Sequence, residues 1–179
     1  MKTFLTTLAA MAALAAPSAA ETIDIQMLNK NDAGDRMVFS QELIEVKVGD
    51  KIRFLPTDRG HNAQTVDGAI PDGQEGFRGR INEAIIYEVT APGLSAIICL
   101  PHQTMGMVAL VVAGGDVSNA DAIREANVRG KGGEKLNALV DQAVEGAAPS
   151  LGLPVAEGDQ RAPCRRADHE GAGAVDRVE

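Results

Sequence analysis

The chain has 179 residues and carries 17 basic against 25 acidic side chains, a formal charge of −8 at neutral pH. An acidic protein of this kind is a poor ligand for nucleic acids, because binding to phosphates requires a basic field. Only two cysteines and three histidines are available for metal or nucleophilic chemistry. The search for a functional site therefore concentrates on those few side chains.

The first twenty residues have the order of a secretory signal. Lys2 precedes the uncharged apolar stretch 8–16, and the small residues Ser-Ala-Ala at 18–20 offer a cleavage site. We expect cleavage after Ala20, so that 1–20 is a signal peptide and the mature chain begins at Glu21. No later stretch is apolar for long enough to span a bilayer. The sequence predicts a soluble periplasmic protein without membrane insertion.

Residues 22–113 alternate between apolar and polar side chains as β strands do. The alternating or apolar runs lie at 22–28, 43–57, 81–100 and 107–113. The run 43–57 is divided by the turn pair Gly49-Asp50. Short strands at this spacing predict a mainly β sandwich or barrel. Residues 56–80 are rich in Gly, Pro, Asp and Asn and are predicted to form a long surface loop.

Helical periodicity replaces this pattern after Ala113. The segment 114–128 offers Ser118, Asn119 or Asp121 as a helix cap. A second helix is predicted over 133–146. Its apolar side chains share one face, and Gly146 would end it; they are Leu136, Leu139, Val140 and Val144.

The last segment of the chain, 146–179, shows neither period and is dominated by Gly, Ala, Pro and charged residues. We expect a disordered tail there, and a single folded domain over 21–145.

The stretch "IICLPHQTMGM" at 97–107 concentrates scarce reactive side chains on one loop, namely Cys99, His102 and Met107. A thiolate, an imidazole and a thioether together favour copper over magnesium, calcium or manganese. A trigonal site with a weak axial methionine needs a second imidazole, and His61 is the remaining histidine within the predicted fold. These four residues predict one copper ion, cycling between Cu(I) and Cu(II), held between two loops at one end of the sandwich.

Three other interpretations of Cys99 remain open at this point. It could be a nucleophile with His61 or His102 as base, although no orienting carboxylate or oxyanion motif accompanies it. It could belong to a zinc or copper-storage site, but only one cysteine lies in the predicted fold and methionines are few. It could form a disulfide with Cys164, which would destroy a copper site.

Several short motifs occur in order along the chain: "MLNK", "MVF", "VGDKIRFLPTDRGHN", "IPDG", "FRGRINE", "VTAPG" and C-x-P-H-x-x-M-G-M. With these motifs the sequence resembles the pseudoazurins, periplasmic type 1 copper proteins of the cupredoxin family, from about Glu21 to Glu145. The resemblance implies an eight-stranded Greek-key sandwich with two C-terminal helices. It also implies copper ligands at His61, Cys99, His102 and Met107.

The same resemblance implies a monomeric electron carrier and not an enzyme. Its acceptor would be a reductase such as the copper nitrite reductase of denitrification, and its donor a cytochrome-type protein. The backbone N–H of Asn62 would donate to the Cys99 sulfur. Independently of the resemblance, we expect electrons to pass through the exposed edge of His102, with Arg59, Arg78 and Arg80 steering the partner in place of the lysines common in the family.

Overall fold

The computed structural model describes residues 19–147, which contain eight strands, one 3-10 turn and two helices. The strands are β1 Thr22–Lys30, β2 Arg36–Phe39, β3 Leu43–Val46, β4 Lys51–Leu55, β5 Gln64–Thr65, β6 Ile85–Glu88, β7 Gly93–Ile98 and β8 Val108–Ala113. The 3-10 turn is Gln103–Met105, and the helices are α1 Ala120–Arg124 and α2 Lys131–Ala147. Most of the predicted signal peptide, and nearly all of the predicted tail with Cys164, lie outside the described residues.

The strands form two four-stranded sheets. The first has the order β2-β1-β4-β6 and the second β3-β8-β7-β5. β1 runs parallel to β4 and antiparallel to β2, while β8 runs parallel to β3 and antiparallel to β7. The predicted eight-stranded, mainly β sandwich with two helices at its C-terminal end is confirmed.

The main core lies between the sheets, because each strand turns every second side chain inward. β1 contributes Ile25 and Met27, and β4 contributes Ile52 and Phe54 from the neighbouring strand. The second sheet meets them with inward side chains that include Ile97. Each of these side chains is at most 1% exposed.

β7 and β8 are buried on both faces, which explains why "MVALVVA" is apolar without alternation. Ala109 and Val111 face the other sheet, whereas Val108, Leu110 and Val112 face the helices. The helices cover this outer face with apolar side chains, which include Ile123, Leu136, Leu139 and Val140.

Three details differ from the sequence prediction. Gln64 and Thr65 pair with Ile98 and Ile97 as the short strand β5, inside the segment predicted to be only loop. Helix α2 continues through Gly146 to Ala147. Val144 is 37% exposed and Ala143 is buried in its place, because residue 143 is one helical repeat of seven beyond Leu136 on the packed face.

No helix within residues 19–147 is both long and apolar enough to cross a membrane.

One polar contact joins the two sheets through the core. The hydroxyls of Tyr87 on β6 and Ser95 on β7 lie 2.8 Å apart, and both residues are buried. Burial raises the pKa of Tyr87 to about 12, since the charged phenolate would be desolvated. Each hydroxyl is thus the polar partner of the other in an apolar layer.

Replacing this tyrosine should leave the Ser95 hydroxyl buried without its partner. We expect Tyr87→Phe to lower the free energy of unfolding by about 1 to 2 kcal/mol. In a double-mutant cycle measured by urea unfolding, Ser95→Ala should lower the free energy of unfolding less in the Tyr87→Phe protein than in the wild type. The wild type should also lose more stability than Tyr87→Phe as pH rises from 10 to 12, because the phenol ionises first in the unfolded chain. Strict additivity of the two substitutions would contradict this account.

Candidate metal centre

Three of the four predicted ligands meet at one end of the sandwich. Nδ1 of His61 lies 3.7 Å from the Cys99 sulfur, and Nδ1 of His102 lies 3.5 Å from the same sulfur. The two Nδ1 atoms are 3.1 Å apart. Two loops, one following β4 and one joining β7 to β8, therefore aim three donor atoms at a common point.

The size of this triangle suits a metal ion. A circle through three points at these separations has a radius of about 2.0 Å, close to metal–nitrogen bonds of about 2.0–2.1 Å and metal–sulfur bonds of about 2.3 Å. An ion near the centre of the triangle would contact all three atoms in trigonal geometry. Two imidazoles and one thiolate in this arrangement fit copper.

Met107, the fourth predicted ligand, lies directly before β8. It is fully buried on the face shared with Cys99. The backbone N–H of Cys99 donates to the Met107 carbonyl at 3.0 Å, and the Met107 N–H donates to the His102 carbonyl at 3.2 Å. These bonds close the ligand loop on itself and hold Met107 beside the other two residues.

The loop between His102 and Met107 is shaped by a 3-10 turn that ends at Gly106. Gly106 has φ +100°, and its N–H donates to the Gln103 carbonyl at 3.0 Å. This left-handed conformation favours glycine over residues with a side chain. The turn redirects the chain so that Met107, the next residue, enters the core.

Asn29, on β1, sets the orientation of the His61 ring. Its Oδ1 lies 3.0 Å from His61 Nε2, and an amide oxygen only accepts, so Nε2 carries the proton. Nδ1 is thereby left unprotonated toward Cys99 and His102. Burial lowers the pKa of His61, the nearby His102 adds to the effect, and Asp58 opposes it. The neutral ring, which is the form that binds metals, is favoured.

Asn62 connects the two ligand loops through its side chain. Its Oδ1 accepts from the Leu100 N–H at 2.8 Å, while its Nδ2 donates to the Gly79 carbonyl at 3.1 Å. Burial raises the pKa of the Cys99 thiol, and the nearby backbone N–H groups of Asn62 and His102 oppose that rise. The bridging role of the Asn62 side chain was not predicted from the sequence.

The loop before β6 clamps the His61 loop from outside. Asn82 Oδ1 accepts from the Gly60 N–H at 2.7 Å, and the Asn82 N–H donates to the His61 carbonyl at 2.9 Å. Asn82 has φ +65°, a conformation that asparagine tolerates better than most residues. Neither Asn29 nor Asn82 was predicted as a site residue, although "LNK" and "RINE" were matched as motifs.

The His102 ring is the partly exposed edge of the centre, whereas His61 and Cys99 are fully buried. A Cβ added at Gly60 would lie 4.0 Å from the His102 Cε1, so the absence of a side chain leaves that edge uncovered. Leu100 and Met105, on the same loop as His102, are each 50% exposed. An apolar rim beside one imidazole edge is a suitable contact surface for another protein.

Basic side chains lie beside this loop. Arg78 and Arg129 line one cavity of about 340 Å³ together with Leu100 and Gln103. The nearest acid to Arg78 is Asp67, at 3.9 Å. Arg78 was predicted to steer a partner, whereas Arg129 was missed because it lies in the connection between the two helices.

Two lysines of α2 also border the ligand loop. A Cβ at Gly106 would lie 3.8 Å from Lys131 Cβ and from Lys135 Cδ. Lys135 is paired with Glu42. Their proximity to the site depends on how α2 packs, which helical periodicity alone does not reveal.

The comparisons with known proteins agree with this geometry. Residues 25–114 match the copper-binding proteins of the plastocyanin/azurin family. The pseudoazurin of Paracoccus pantotrophus is 42% identical over 134 residues, which cover 75% of this chain and 92% of that protein.

Two solved structures are similar over the same region. The crystal structure of pseudoazurin from Methylobacterium extorquens AM1 has a TM-score of 0.62 and 36% identity, covering 68% of this chain and 98% of that one. Native pseudoazurin from Hyphomicrobium denitrificans has a TM-score of 0.63 and 34% identity, with 68% and 97% covered.

The fold and the donor set define a type 1 copper protein that carries electrons and is not an enzyme. The chain belongs to the pseudoazurins, within the copper-binding plastocyanin/azurin family. Its partners are accordingly redox proteins. The nucleophile interpretation of Cys99 is wrong, and the full burial of that thiol is consistent with this, since a substrate could not reach it. Cys99 is also a free cysteine.

Removing the Asn62 side chain should separate the two ligand loops. We expect Asn62→Ala to lower the free energy of unfolding of the metal-free protein by about 2 kcal/mol, because the Leu100 N–H and the Gly79 carbonyl lose their buried partner. The measurement is urea unfolding followed by circular dichroism. Asn127→Ala is a matched control, since Asn127 is exposed, and it should change stability by less than about 0.5 kcal/mol. Equal effects of the two substitutions would argue against the bridge.

Proposed function

We propose that His61, Cys99, His102 and Met107 bind a single copper ion, and that the protein delivers single electrons in the periplasm to a reductase such as a copper nitrite reductase. A cytochrome-type protein would supply the electrons, and the carrier would act as a monomer. The observation that carries the proposal is the triangle of two imidazole nitrogens and one sulfur around a point about 2.0 Å from each.

The role of the polypeptide is to keep this geometry fixed while the charge of the centre changes. When bound, copper supplies a one-electron change between Cu(I) and Cu(II). Asn29 orients His61, and Asn62 ties the Cys99 loop to the His61 loop. Because the scaffold sets the ligand positions, little rearrangement accompanies the change of charge, which favours fast transfer.

His102 is the proposed exit for the electron. It is the partly exposed ligand, and its loop neighbours Leu100 and Met105 offer an apolar surface. A partner that packs on this surface would exclude water from the contact. Only the His102 imidazole would then separate the partner's redox centre from the copper along this path. His61, in contrast, lies beneath the surface with Asn29 behind it.

The partner is expected to present an acidic surface. Arg78 and Arg80 are 70% and 84% exposed at their side chains, and Arg129 lies near Arg78. Lys131 borders the same loop from α2, whereas the neighbouring Lys135 is paired with Glu42. Local positive charge on an acidic protein would orient the encounter and accelerate association at low salt. The periplasmic location rests on the signal peptide expected over residues 1–20.

The axial role of Met107 can be tested through the reduction potential. Met107→Leu keeps the two imidazoles and the thiolate but removes the thioether, a donor that helps to stabilise Cu(II). We expect the intense thiolate-to-copper absorption band to persist and the potential to rise by about 60 mV or more, equivalent to about a tenfold shift toward Cu(I). Potentiometric titration followed in the visible range measures both.

Met105→Leu is the matched control for this substitution. Met105 lies in the same loop, but half of it is exposed and it is not a proposed ligand. The reduction potential of the Met105→Leu protein should stay within a few millivolts of that of the wild type. A Met107→Leu protein with an unchanged potential would remove Met107 from the ligand set.

The steering role of the arginines can be tested by charge reversal. Arg78→Glu with Arg80→Glu should reduce the second-order rate of electron transfer to a copper nitrite reductase by about tenfold at low ionic strength. The dependence of the rate on salt should weaken as well. Stopped-flow absorbance of the copper band measures the rate.

The control makes the same change of net charge elsewhere. Lys51 and Arg53 lie on β4, where they pair with Glu88 and Asp24 across the sheet. Lys51→Glu with Arg53→Glu should alter the rate much less than the arginine pair. Equal slowing by both pairs would mean that net charge, and not a local patch, governs the encounter.

A further inference from the structure

A second polar site lies at the end of the sandwich opposite the metal centre, where β1 and β4 begin. The two strands run parallel from the pair Thr22 and Lys51 to the pair Gln26 and Leu55. Just before this register starts, the backbone N–H of Glu21 donates to Asp50 Oδ1 at 2.9 Å. His61 follows the far end of β4, and Asn29 lies near the far end of β1.

Asp50, which directly precedes β4, is a charged residue in a buried position. The residue as a whole is only 6% exposed, and its second carboxylate oxygen accepts from the Lys47 N–H at 2.9 Å. These hydrogen bonds hold the pKa of Asp50 below its usual range, so the carboxylate is charged at neutral pH. The carboxylate of this buried residue therefore accepts hydrogen bonds from two uncharged backbone donors.

The surroundings favour a cation beside Asp50. A cavity of about 570 Å³ adjoins it, and the charged side chains that line this cavity are Glu21, Glu45, Lys47 and Asp50. The last turn of α2 reaches the same cavity at Gly146 and Ala147 and brings no charged side chain into it. Carbonyl groups at a helix C-terminus carry partial negative charge, which also attracts cations. Lys47 is the single cationic side chain on the cavity wall.

We propose that Asp50 is a binding site for the chain's own α-ammonium group, which removal of the leader creates at Glu21. Hydrolysis of the Ala20–Glu21 peptide bond by a signal peptidase consumes one water molecule. It leaves a carboxylate on Ala20 and an ammonium on Glu21. The proposal rests on the cleavage position expected from the sequence and does not depend on copper binding.

Cleavage requires no rearrangement of the contact between Glu21 and Asp50. In the uncleaved chain the Glu21 backbone nitrogen donates to Asp50 as an amide. After cleavage the same nitrogen is the ammonium, and it already lies 2.9 Å from Asp50 Oδ1. The Glu21 carbonyl is held in place because it accepts from the Lys51 N–H at 2.8 Å. Cleavage converts a neutral hydrogen bond into a charge-assisted one and adds two further donors that can point into the cavity.

The consequence is that the folded protein gains stability when it is processed. In an uncleaved chain the Asp50 carboxylate accepts from two neutral backbone N–H groups, with Lys47 as the nearby cation. A charge-assisted bond from the new ammonium would be stronger than the amide bond that it replaces. Export-competent precursors would be easier to unfold than the mature carrier. The end of the fold that is remote from the redox centre would thus respond to maturation.

The pH dependence has a definite sign. Pairing with a carboxylate raises the pKa of the α-ammonium above its free value of about 7.7–8.0. The added stability is fully present below that free value and is lost as pH rises through the higher pKa of the folded state. On the acidic side it is lost as the Asp50 carboxylate becomes protonated. Glu21, Glu45 and Lys47 are the other charged side chains that line the cavity around the group.

The test compares two chains that differ only at the N-terminus, both continuing to Glu179. One begins at Glu21 and the other at Ala19, each released from a fusion that leaves no extra residue. We expect the Glu21 chain to have an unfolding equilibrium constant about tenfold smaller at pH 7, measured by urea unfolding. The difference should shrink as pH is raised above about 8. The comparison is made on both copper-loaded and metal-free protein.

Two substitutions decide whether Asp50 is responsible. In Asp50→Asn the advantage of the Glu21 chain should disappear. In Asp24→Asn, which also removes one carboxylate from the first sheet, the advantage should remain. Equal stability of the two wild-type chains, an advantage that survives in Asp50→Asn, or a difference that does not change with pH would overturn the proposal. N-terminal sequencing of the exported protein that returned a residue other than Glu21 would also overturn it.

Discussion

The pairing of β7 with β8 is the constraint on which the rest of the centre depends. These adjacent strands are buried on both faces, and their period of two sends Cys99 and Met107 into the layer between the sheets. The backbone bond from the Cys99 N–H to the Met107 carbonyl extends the ladder by one step into the ligand loop. A slip of one residue would turn the thiol toward the helices and dismantle the site.

The other half of the centre is supplied by the strand pair β1 and β4. β4 leads into the His61 loop, and β1 carries Asn29 to the back of the His61 ring. Asn62 then joins this half to the Cys99 loop. The ligands are thus fixed by hydrogen bonds between elements far apart in sequence, which is the condition for a site that holds its shape while its charge changes. Glu21 and Asp50 directly precede the same two strands, so one pair of strands organises both ends of the domain.

Much of this architecture follows from local sequence pattern. Alternation predicted the strands that contain Ile25, Ile52 and Ile97, and the chemistry of Cys99, His102 and Met107 predicted copper. Three of the four predicted ligands do converge; the assignment of all four as ligands remains a proposal. The family resemblance, and not periodicity, supplied the count of eight strands.

What the sequence could not predict depends on contacts between distant segments. β5 consists of two residues that pair only because β7 is beside them, so no run of alternating residues marks it. Gly146 was expected to end α2, but the helix continues through it, since packing of α2 against β8 outweighs the modest cost of one glycine. The roles of Asn29 and Asn82, and the positions of Lys131 and Lys135, likewise arise only when the elements are packed.

The most direct test of the central claim is a visible absorption spectrum of the protein loaded with Cu(II), followed by reduction with ascorbate and reoxidation. The account predicts an intense thiolate-to-copper band that bleaches on reduction and returns fully on oxidation, with one copper per chain. The band arises from a thiolate bound to Cu(II), and the triangle of His61, Cys99 and His102 would supply that thiolate together with two imidazoles. A protein that stays colourless while Cys99 remains titratable as a free thiol would contradict it.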